Sequence, residues 1–386
     1  MFNRVCIIVL DGVGIGELPD AADFGDTGAH TLGNIHKLHP LHLPNLYAMG
    51  LGNIENSRLP SVSAPNASHG RMAQLTRAKD TTSGHWEMMG LIMNPPFKTF
   101  EKFPETMLRD WLNRANLPHQ KWLGNHPASG TAIIDQLGAE HMQTGAPIVY
   151  TSADSVFQIA AHEEIIPLPD LYKLCETARE LLVGDLFVGR VIARPFVGEL
   201  GAFSRTKNRR DYAIPPVGDT LLDILEARGM STLGIGKIDD IFCNRGVTHT
   251  NHTTNNADSI RATIDALESD QTNALIFTNL IDFDMHYGHR NDPKGFAAAL
   301  ESFDAALPQI TAALRPHDLL IITSDHGCDP TTPSTDHSRE YVPLLMYGAG
   351  TKPRNLGTRA TFADIAATIY SGFGLGEFPT GKTICC

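Results

Sequence analysis

The 386-residue sequence lacks several features that would direct its function elsewhere. Its six cysteines form no CxxC pair, which disfavours a disulfide framework and a zinc knuckle and fits a reducing cytoplasm. No apolar run approaches the roughly 20 residues that a membrane-spanning helix needs, and the opening RVCIIVLDG has the length of a strand rather than a signal peptide. We therefore expect a cytoplasmic protein that does not bind membranes.

Positive charge is also in short supply. Lys and Arg number 31 against 43 Asp and Glu, which gives a formal net charge of −12. Nucleic-acid binding depends on a basic surface that neutralises phosphates, so no nucleic-acid partner is expected. In an acidic protein, the positive charge that a phosphorylated substrate requires can come from bound divalent cations.

What the sequence does contain is an alternation of short apolar runs and amphipathic stretches. The apolar runs predict buried strands at residues 5–10, 148–150, 232–235, 275–280, 319–323 and 343–347. The amphipathic stretches predict helices at residues 220–228, 259–269 and 295–314. This alternation is typical of a doubly wound α/β sheet covered on both faces.

The middle of the chain interrupts the alternation and predicts an inserted domain. The interruption begins near the segment NPPFKTF at residues 94–100 and ends near AIPPVGD at residues 213–219. Proline pairs in both segments suit stiff hinges, although ordinary loop prolines would look the same. We predict a core domain of residues 1–95 and 217–386 and an α+β cap domain of residues 96–216, which contains a helix at residues 171–182.

Three of the predicted strands are followed by side chains that bind metals. These side chains are Asp11; Asp282, Asp284, His286 and His289; and Asp325, His326, Asp329, Asp336 and His337. The carboxyl ends of strands are where an open α/β sheet binds ligands. One such cluster is weak evidence for a metal site. Three clusters at neighbouring strand ends are stronger evidence, because their carboxylates would repel one another unless bound cations compensated the charge. Mixed Asp and neutral His ligands favour Mn, Zn or Fe over Ca, so we predict a dinuclear transition-metal site.

A hydroxyl-rich segment, KDTTSGHWEMMG, precedes a predicted helix. A Ser or Thr at this place can simply cap the helix. Alternatively, a hydroxyl bound to a divalent metal is acidified and becomes a nucleophile, and the helix N-terminus then stabilises its phosphate ester. Chemistry alone leaves Thr81, Thr82 and Ser83 as alternatives.

The motifs along the chain resemble those of the prokaryotic phosphopentomutases, a family of the alkaline phosphatase superfamily. In order, they are VLDGVGIG, KDTTSGHWE, YTSADSVFQIAAHEE, GRVIARPFVG, NRRDYA, IGKIDDI, DFDMHYGHR, TSDHGCDPTTPSTDHSRE and FADI. They cover nearly the whole chain. The SDHG and TDH motifs are shared across the superfamily. The cap motifs occur in a smaller group of proteins, the phosphopentomutases, and therefore favour the mutase. The resemblance implies an alkaline-phosphatase-like core.

The resemblance also implies roles for individual residues. Thr81 would be the phosphorylated residue. One Mn²⁺ would be held by Asp11, Asp325, His326 and the Thr81 oxygen, and the other by Asp284, His289 and His337. The sugar would be held by Ser152, Asp154, Val156, Arg190, Ile192 and Lys237. Further phosphate contacts, unless they are solvated surface charges, would come from Arg205, Arg209 and Arg210. Structural or supporting roles remain for Asp282, His286, Asp329 and Asp336.

The implied reaction interconverts ribose 1-phosphate, or 2-deoxyribose 1-phosphate, and the 5-phosphate through a phosphothreonine and a bisphosphate intermediate. A sugar bisphosphate, glucose 1,6-bisphosphate or ribose 1,5-bisphosphate, would act as activator, and sugar phosphates would be the binding partners. The main alternative is a metal-dependent phosphomonoester hydrolase of the same superfamily. A cofactor-independent phosphoglycerate mutase would use a serine in a different motif, and an inactive scaffold should lack a metal ligand. The preferred pentose, the native metal and the oligomeric state stay open.

Overall fold

The structure, a computed structural model, describes residues 1–117, 120–152, 155–270, 272, 274–348, 350 and 352–384. The chain divides into two compact units, which are Met1–Pro96 together with Pro215–Cys386, and Phe97–Ile214. The domain boundaries predicted from the sequence lie at residues 95/96 and 216/217.

The strands and α-helices follow one another along the chain with these bounds. The strands are β1 (Arg4–Leu10), β2 (Ser68–Met72), β3 (Leu123–Pro127), β4 (Ile148–Thr151), β5 (Val156–His162), β6 (Arg190–Val197), β7 (Ser204–Arg205), β8 (Arg210–Ala213), β9 (Ser231–Ile235), β10 (His249–Asn251), β11 (Ala274–Leu280), β12 (Asp318–Thr323), β13 (Val342–Gly348) and β14 (Asn355–Arg359). The helices are α1 (Thr31–Leu38), α2 (Pro44–Ala48), α3 (Thr81–Met88), α4 (Glu105–Arg114), α5 (Gly130–Thr144), α6 (Leu168–Leu181), α7 (Leu221–Ala227), α8 (Ile238–Phe242), α9 (Asn256–Glu268), α10 (Pro293–Ala312) and α11 (Asp364–Gly372).

The first unit is built on an eight-stranded sheet with the order β10-β9-β11-β1-β12-β13-β2-β14. Its centre is parallel, because β1 pairs in parallel with both β11 and β12, and β11 pairs in parallel with β9. Every residue of β1, β11 and β12 is buried, as expected for aliphatic strands covered by helices on both faces. On one face, Cys6, Ile8 and Leu10 pack in the same core cluster as Leu300 and Phe303 of α10.

The second unit has a six-stranded sheet of its own. Its order is β3-β4-β5-β6-β7, and β8 pairs with β6. The predicted strand at residues 148–150 is β4 and therefore belongs to this sheet and not to the larger one. The predicted helix at residues 171–182 is α6, which packs Leu171 and Leu174 into a core with Trp111 of α4 and Phe157 of β5.

Candidate metal centre

The three central parallel strands of the first unit deliver acidic residues to one edge of the sheet. The register pairs Leu10 of β1 with Leu280 of β11 and Val9 with Thr323 of β12, so the three strands end together. Asp11 follows β1 directly, and its backbone N–H donates to the Leu280 carbonyl oxygen at 3.3 Å. The segments that carry Asp284 and Asp325 follow β11 and β12 at the same edge. This is the edge at which parallel α/β sheets bind ligands.

A first group of ligand atoms comes from Asp11, Asp325 and His326, whose candidate atoms all lie within 4.8 Å of one another. The His326 Nε2 atom lies 3.3 Å from Asp11 Oδ1 and 3.3 Å from Asp325 Oδ2. The turn after β1 supports this group, because the backbone N–H of Gly12 donates to Asp325 Oδ1 at 3.2 Å. Gly12 has a φ of +77°, a conformation that favours glycine.

A second group surrounds Asp284, which lies in a single π-helical turn at Phe283–Tyr287. Its Oδ2 is 3.1 Å from His289 Nε2, and its Oδ1 is 3.4 Å from His337 Nε2. The two groups of ligand atoms are adjacent. The ring centroids of His326 and His337 are 3.9 Å apart. A ring nitrogen of His326 also lies within 4.8 Å of the ligand atoms of Asp284 and His337. The Cys328 Sγ atom also lies within 4.8 Å of ligand atoms of Asp284 and His289, a contact that was not predicted from the sequence.

Backbone contacts prepare two of the imidazoles to bind a metal. His326 Nδ1 lies 3.0 Å from the Gly327 carbonyl oxygen, and His289 Nδ1 lies 2.7 Å from that of Thr335. A carbonyl oxygen only accepts, so each Nδ1 carries the hydrogen and each neutral ring presents the lone pair of Nε2 to the centre.

Four buried polar atoms of the centre have no hydrogen-bond partner among the described residues. They are Asp11 Oδ1, Asp284 Oδ1, Asp325 Oδ2 and His337 Nε2. Leaving such atoms unsatisfied is costly, and all four are lone-pair donors that a cation would satisfy. The residues present therefore fit divalent cations.

The electrostatics of the centre show why cations and protons compete for it. Burial raises the pKa of Asp11, and the neighbouring Asp325 raises it further. Burial lowers the pKa of His289, but its hydrogen bond and charge attraction to Asp284, together with the Thr335 carbonyl oxygen, raise the pKa to about 9 when no metal is bound. Burial likewise raises the pKa of Asp325, yet His326 and His85 lower it to about 2. Protonated imidazoles thus supply part of the positive charge that bound metals would otherwise provide.

The hydroxyl-rich segment enters the same centre at the start of α3. Asp80 caps this helix, because its Oδ1 accepts from the backbone N–H of Ser83 at 2.9 Å. Of the two alternatives for the hydroxyls, capping is therefore not what the structure shows, because Asp80, which precedes all three, occupies the N-cap position. The Ser83 hydroxyl is buried and donates to Asp80 Oδ2 at 2.7 Å.

Thr81, the first residue of α3, is the hydroxyl that faces the metal ligands. Its Oγ1 lies 3.2 Å from His326 Nε2. The helix can come this close to the end of β12 because position 84 is glycine. A Cβ atom on Gly84 would lie 2.2 Å from the Asp325 carbonyl oxygen, so a larger residue there would displace α3.

The other acidic and histidine residues of the three clusters make structural contacts. Asp282 Oδ2 accepts from the backbone N–H of Asn256 at 2.9 Å. His286 Nε2 lies 3.9 Å from Asp282 Oδ1. Asp329 accepts from the backbone N–H of His30 at 2.9 Å. Asp336 forms an ion pair with Lys79 at 3.2 Å.

Four of the residues predicted to hold the sugar line one cavity of about 340 Å³ inside the second unit, namely Ser152, Val156, Arg190 and Ile192. Tyr150, Gln158, Arg194 and Arg209 line it too. Asp154 lies outside the described residues. Lys237 belongs to the first unit, where it is exposed and is the N-cap residue of α8, two positions after the end of β9.

The three arginines left open by the sequence differ in their surroundings. Arg209 and Arg205 line a neighbouring cavity of about 620 Å³ in the second unit. Arg209 is also held by two hydrogen bonds of 2.6 Å to the carboxylate of Asp211. Arg210 instead stacks over the rings of Tyr172 and Tyr212, at 5.3 and 5.1 Å from their centroids.

Comparison with known proteins identifies the family. The sequence profile of the Metalloenzyme superfamily matches residues 3–377. A phosphopentomutase of Caldanaerobacter subterraneus subsp. tengcongensis is 55% identical over 387 residues, covering 99% of this chain and 97% of that protein. The chain belongs to the phosphopentomutase family. A second member, from Carboxydothermus hydrogenoformans, is 56% identical and covers 97% of this chain and 96% of its own length. The family assignment made from the motifs is thereby confirmed.

Solved structures of similar fold lie much further away in sequence. A protein from Pyrococcus horikoshii superposes with a TM-score of 0.52 at 14% identity, covering 98% of this chain and 99% of that one. Leishmania mexicana phosphoglycerate mutase gives 0.51 at 14% identity, with 98% and 96% covered. These likenesses concern the fold alone, and with the superfamily match they confirm the predicted α/β class with an alkaline-phosphatase-like core. Within the described ranges, every helix is too short or too polar to span a bilayer.

Sequence reasoning missed several residues that the structure brings to these sites. Asn279 contacts Asp11, His85 contacts Asp325, and Arg194 lines the cavity of the second unit. Two of these residues could have been identified from the sequence. Asn279 is a polar residue inside the apolar strand β11, and His85 lies four positions after Thr81, hence on the same face of α3.

Proposed function

We propose that this protein is a two-metal phosphopentomutase that interconverts ribose 1-phosphate, or 2-deoxyribose 1-phosphate, and the corresponding 5-phosphate. The observation that carries the proposal is its similarity, at 50% to 56% identity over nearly the whole chain, to proteins named phosphopentomutase. The cytoplasmic location and the lack of a nucleic-acid partner stay predictions.

Manganese is the metal we propose for the centre. Asp11, Asp325, His326 and the Thr81 oxygen would hold one ion, and Asp284, His289 and His337 the other, which matches the mixed oxygen and nitrogen donors. Bound manganese would acidify the Thr81 hydroxyl and offset the charge of the transferring phosphoryl group. Support comes from the orphaned lone pairs of Asp11, Asp284, Asp325 and His337.

The chain's own contribution begins with Thr81, which we propose is phosphorylated in the resting enzyme. In the first half of the cycle, the free hydroxyl of the pentose phosphate attacks the phosphorus. The new O–P bond forms as the Thr81 Oγ1–P bond breaks, and the hydroxyl's proton ends on Oγ1. The bisphosphate then reorients, and the reverse transfer returns its other phosphoryl group to Thr81. The first-turn N–H groups of α3 stabilise the phosphate ester at Thr81. A sugar bisphosphate, glucose 1,6-bisphosphate or ribose 1,5-bisphosphate, would prime an unmodified Thr81.

We assign the sugar phosphate to the cavity lined by Ser152, Val156, Arg190 and Ile192 in the second unit. Its charge supports an anionic ligand. Burial lowers the pKa of Arg194, and the like charge of Arg209 lowers it further, so the pair gains from a bound anion. Asp154 and Lys237 stay as predicted sugar contacts.

The hydrolase alternative uses the same metal ligands and differs only in the acceptor. Phosphorus NMR of ribose 1-phosphate with purified protein, manganese and a catalytic amount of glucose 1,6-bisphosphate to prime Thr81 separates the mutase, the hydrolase and the inactive scaffold. We expect ribose 5-phosphate as the main product. Free phosphate as the main product would establish a hydrolase, and an unchanged spectrum would establish an inactive scaffold.

Arg190→Ala tests the sugar site. Removing a charged hydrogen bond to the substrate phosphate should lower kcat/KM roughly 10- to 100-fold. A bisphosphate that is held less well should also escape or lose phosphate to water more often, so free phosphate or released bisphosphate per turnover should rise. The same NMR assay measures both quantities. Arg210→Ala is the matched control, because Arg210 stacks on two tyrosines. Equal rates and product ratios in Arg190→Ala and wild type would remove Arg190 from the sugar site.

A further inference from the structure

A buried amide lies between the metal centre and the helix that carries Thr81. Asn279 is fully buried near the end of β11. Its Nδ2 atom lies 3.1 Å from Asp11 Oδ2 and 3.3 Å from His85 Nε2. The mechanism above gives no role to Asn279 or to His85.

His85 continues the connection to the second carboxylate of the first metal group. It is fully buried in α3. Its Nδ1 lies 2.9 Å from the carbonyl oxygen of Thr81 and 3.3 Å from Asp325 Oδ2. The side chains of Asp11, Asn279, His85 and Asp325 therefore form one continuous chain of contacts, and the backbone of Thr81 is attached to it.

The hydrogens in this chain can be assigned from the groups that only accept. An ionised Asp11 only accepts, so Asn279 turns its NH₂ group toward it; the flipped amide would place two oxygens 3.1 Å apart. The second amide hydrogen then points at His85 Nε2, which must accept. Hence His85 Nδ1 carries the hydrogen and donates to the Thr81 carbonyl oxygen, while Asp325 Oδ2 lies 3.3 Å from it without a hydrogen bond.

We propose that Asn279 and His85 are positioning residues that hold Asp11, Asp325 and Thr81 in the geometry of the first metal site. Asp11 is held through Oδ2, which accepts from Asn279, so its Oδ1 remains available for a metal. His85 Nδ1 lies 3.3 Å from Asp325 Oδ2, an atom that has no hydrogen-bond partner among the described residues and also remains available. Outer-shell groups of this kind fix the direction of metal ligands. The roles of the metal and of Thr81 rest on the proposed function.

A purely structural role would involve the same contacts, since buried polar groups pair wherever they occur. The two roles differ in what a substitution changes. A structural role predicts lower stability with unaltered metal affinity in the folded protein. A positioning role predicts weaker binding at the first metal site in particular, together with slower turnover of bound substrate.

The variants Asn279→Ala, His85→Ala and His85→Asn of the full chain test the inference. In His85→Asn, the amide nitrogen replaces Nδ1 as donor to the Thr81 carbonyl oxygen, while the acceptor for Asn279 is lost. Thr278→Val is the matched control, because Thr278 is the preceding buried residue of β11 and its hydroxyl lies 2.8 Å from that of Thr263, away from Asn279. EPR follows the titration of each protein with manganese, and urea denaturation measures its stability. The kinetic constants kcat and KM are measured with ribose 1-phosphate.

We expect Asn279→Ala and His85→Ala to weaken one of two manganese sites roughly 10- to 100-fold, with kcat lowered and KM little changed. His85→Asn should fall between His85→Ala and wild type, and it carries the test if an alanine variant does not fold. Thr278→Val should bind both ions as wild type does. Wild-type manganese affinities in the Asn279 and His85 variants would overturn the inference, as would an equal loss in Thr278→Val. Wild-type protein that binds two ions but shows no mutase activity would instead refute the proposed function.

Discussion

Thr81→Ala is expected to abolish mutase turnover, lowering kcat by about 10⁴-fold or more, because the step that accepts the phosphoryl group loses its nucleophile. Its Oγ1 lies 3.2 Å from His326 Nε2 at the metal centre. Manganese binding should largely survive, since the Asp and His ligands are untouched. Phosphorus NMR measures turnover, and EPR measures bound manganese.

Peptide mass analysis identifies the phosphorylated residue in the same experiment. After exposure to glucose 1,6-bisphosphate, we expect the adduct on Thr81 in wild type and no adduct in Thr81→Ala. Thr82→Ala is the matched control at the next position of α3 and should keep both adduct and turnover. Ser83→Ala should lower stability, because the Ser83 hydroxyl is buried and bonded to Asp80, and yet keep the adduct. An adduct on Thr82 or Ser83 would refute the assignment.

Prolonged chelation of the wild-type protein is expected to remove all turnover, and manganese should restore it. The physical reason is the cluster of Asp11, Asp284 and Asp325, whose unsatisfied oxygens need a positive charge at the moment of phosphoryl transfer. Apparent manganese affinity should fall as the pH is lowered, because protons compete for the imidazole and carboxylate lone pairs. Metal content by atomic spectroscopy and activity by NMR follow both effects.

Single substitutions assign the ions to residues. Asp325→Ala or His337→Ala should reduce bound manganese below two per chain. His286→Ala is the control, because this half-exposed imidazole comes from the same segment as Asp284 but lies near Asp282 and not among the proposed ligands. Full turnover in a preparation verified to be free of metal would contradict the two-metal mechanism, and loss of manganese in His286→Ala equal to that in His337→Ala would contradict the ligand assignment.

Features that depend on residues close together in the sequence, such as strands and helices, were predictable from the sequence. The aliphatic runs of β1, β11 and β12 identify parallel buried strands, and parallel strands end at one edge, so the proximity of Asp11, Asp284 and Asp325 followed from the pattern. The helix predictions at residues 220–228, 259–269 and 295–314 are confirmed as α7, α9 and α10, with ends shifted by a few residues. The start of α9 was missed by three residues because Asn255, its cap, is polar and lies outside the apolar period.

Only the tertiary structure decided which polar groups meet. It distinguishes Thr81 from Thr82 and Ser83, because the cap at Asp80 and the close approach at Gly84 fix which hydroxyl faces His326. It also joins Asn279 to His85, 194 positions away, and gathers Arg190, Arg194 and Arg209 around one cavity. Periodicity along a chain records which side of an element is buried, but not which residue of another element lies opposite it. Those pairings depend on how whole strands and helices pack, and therefore appear only in the folded chain.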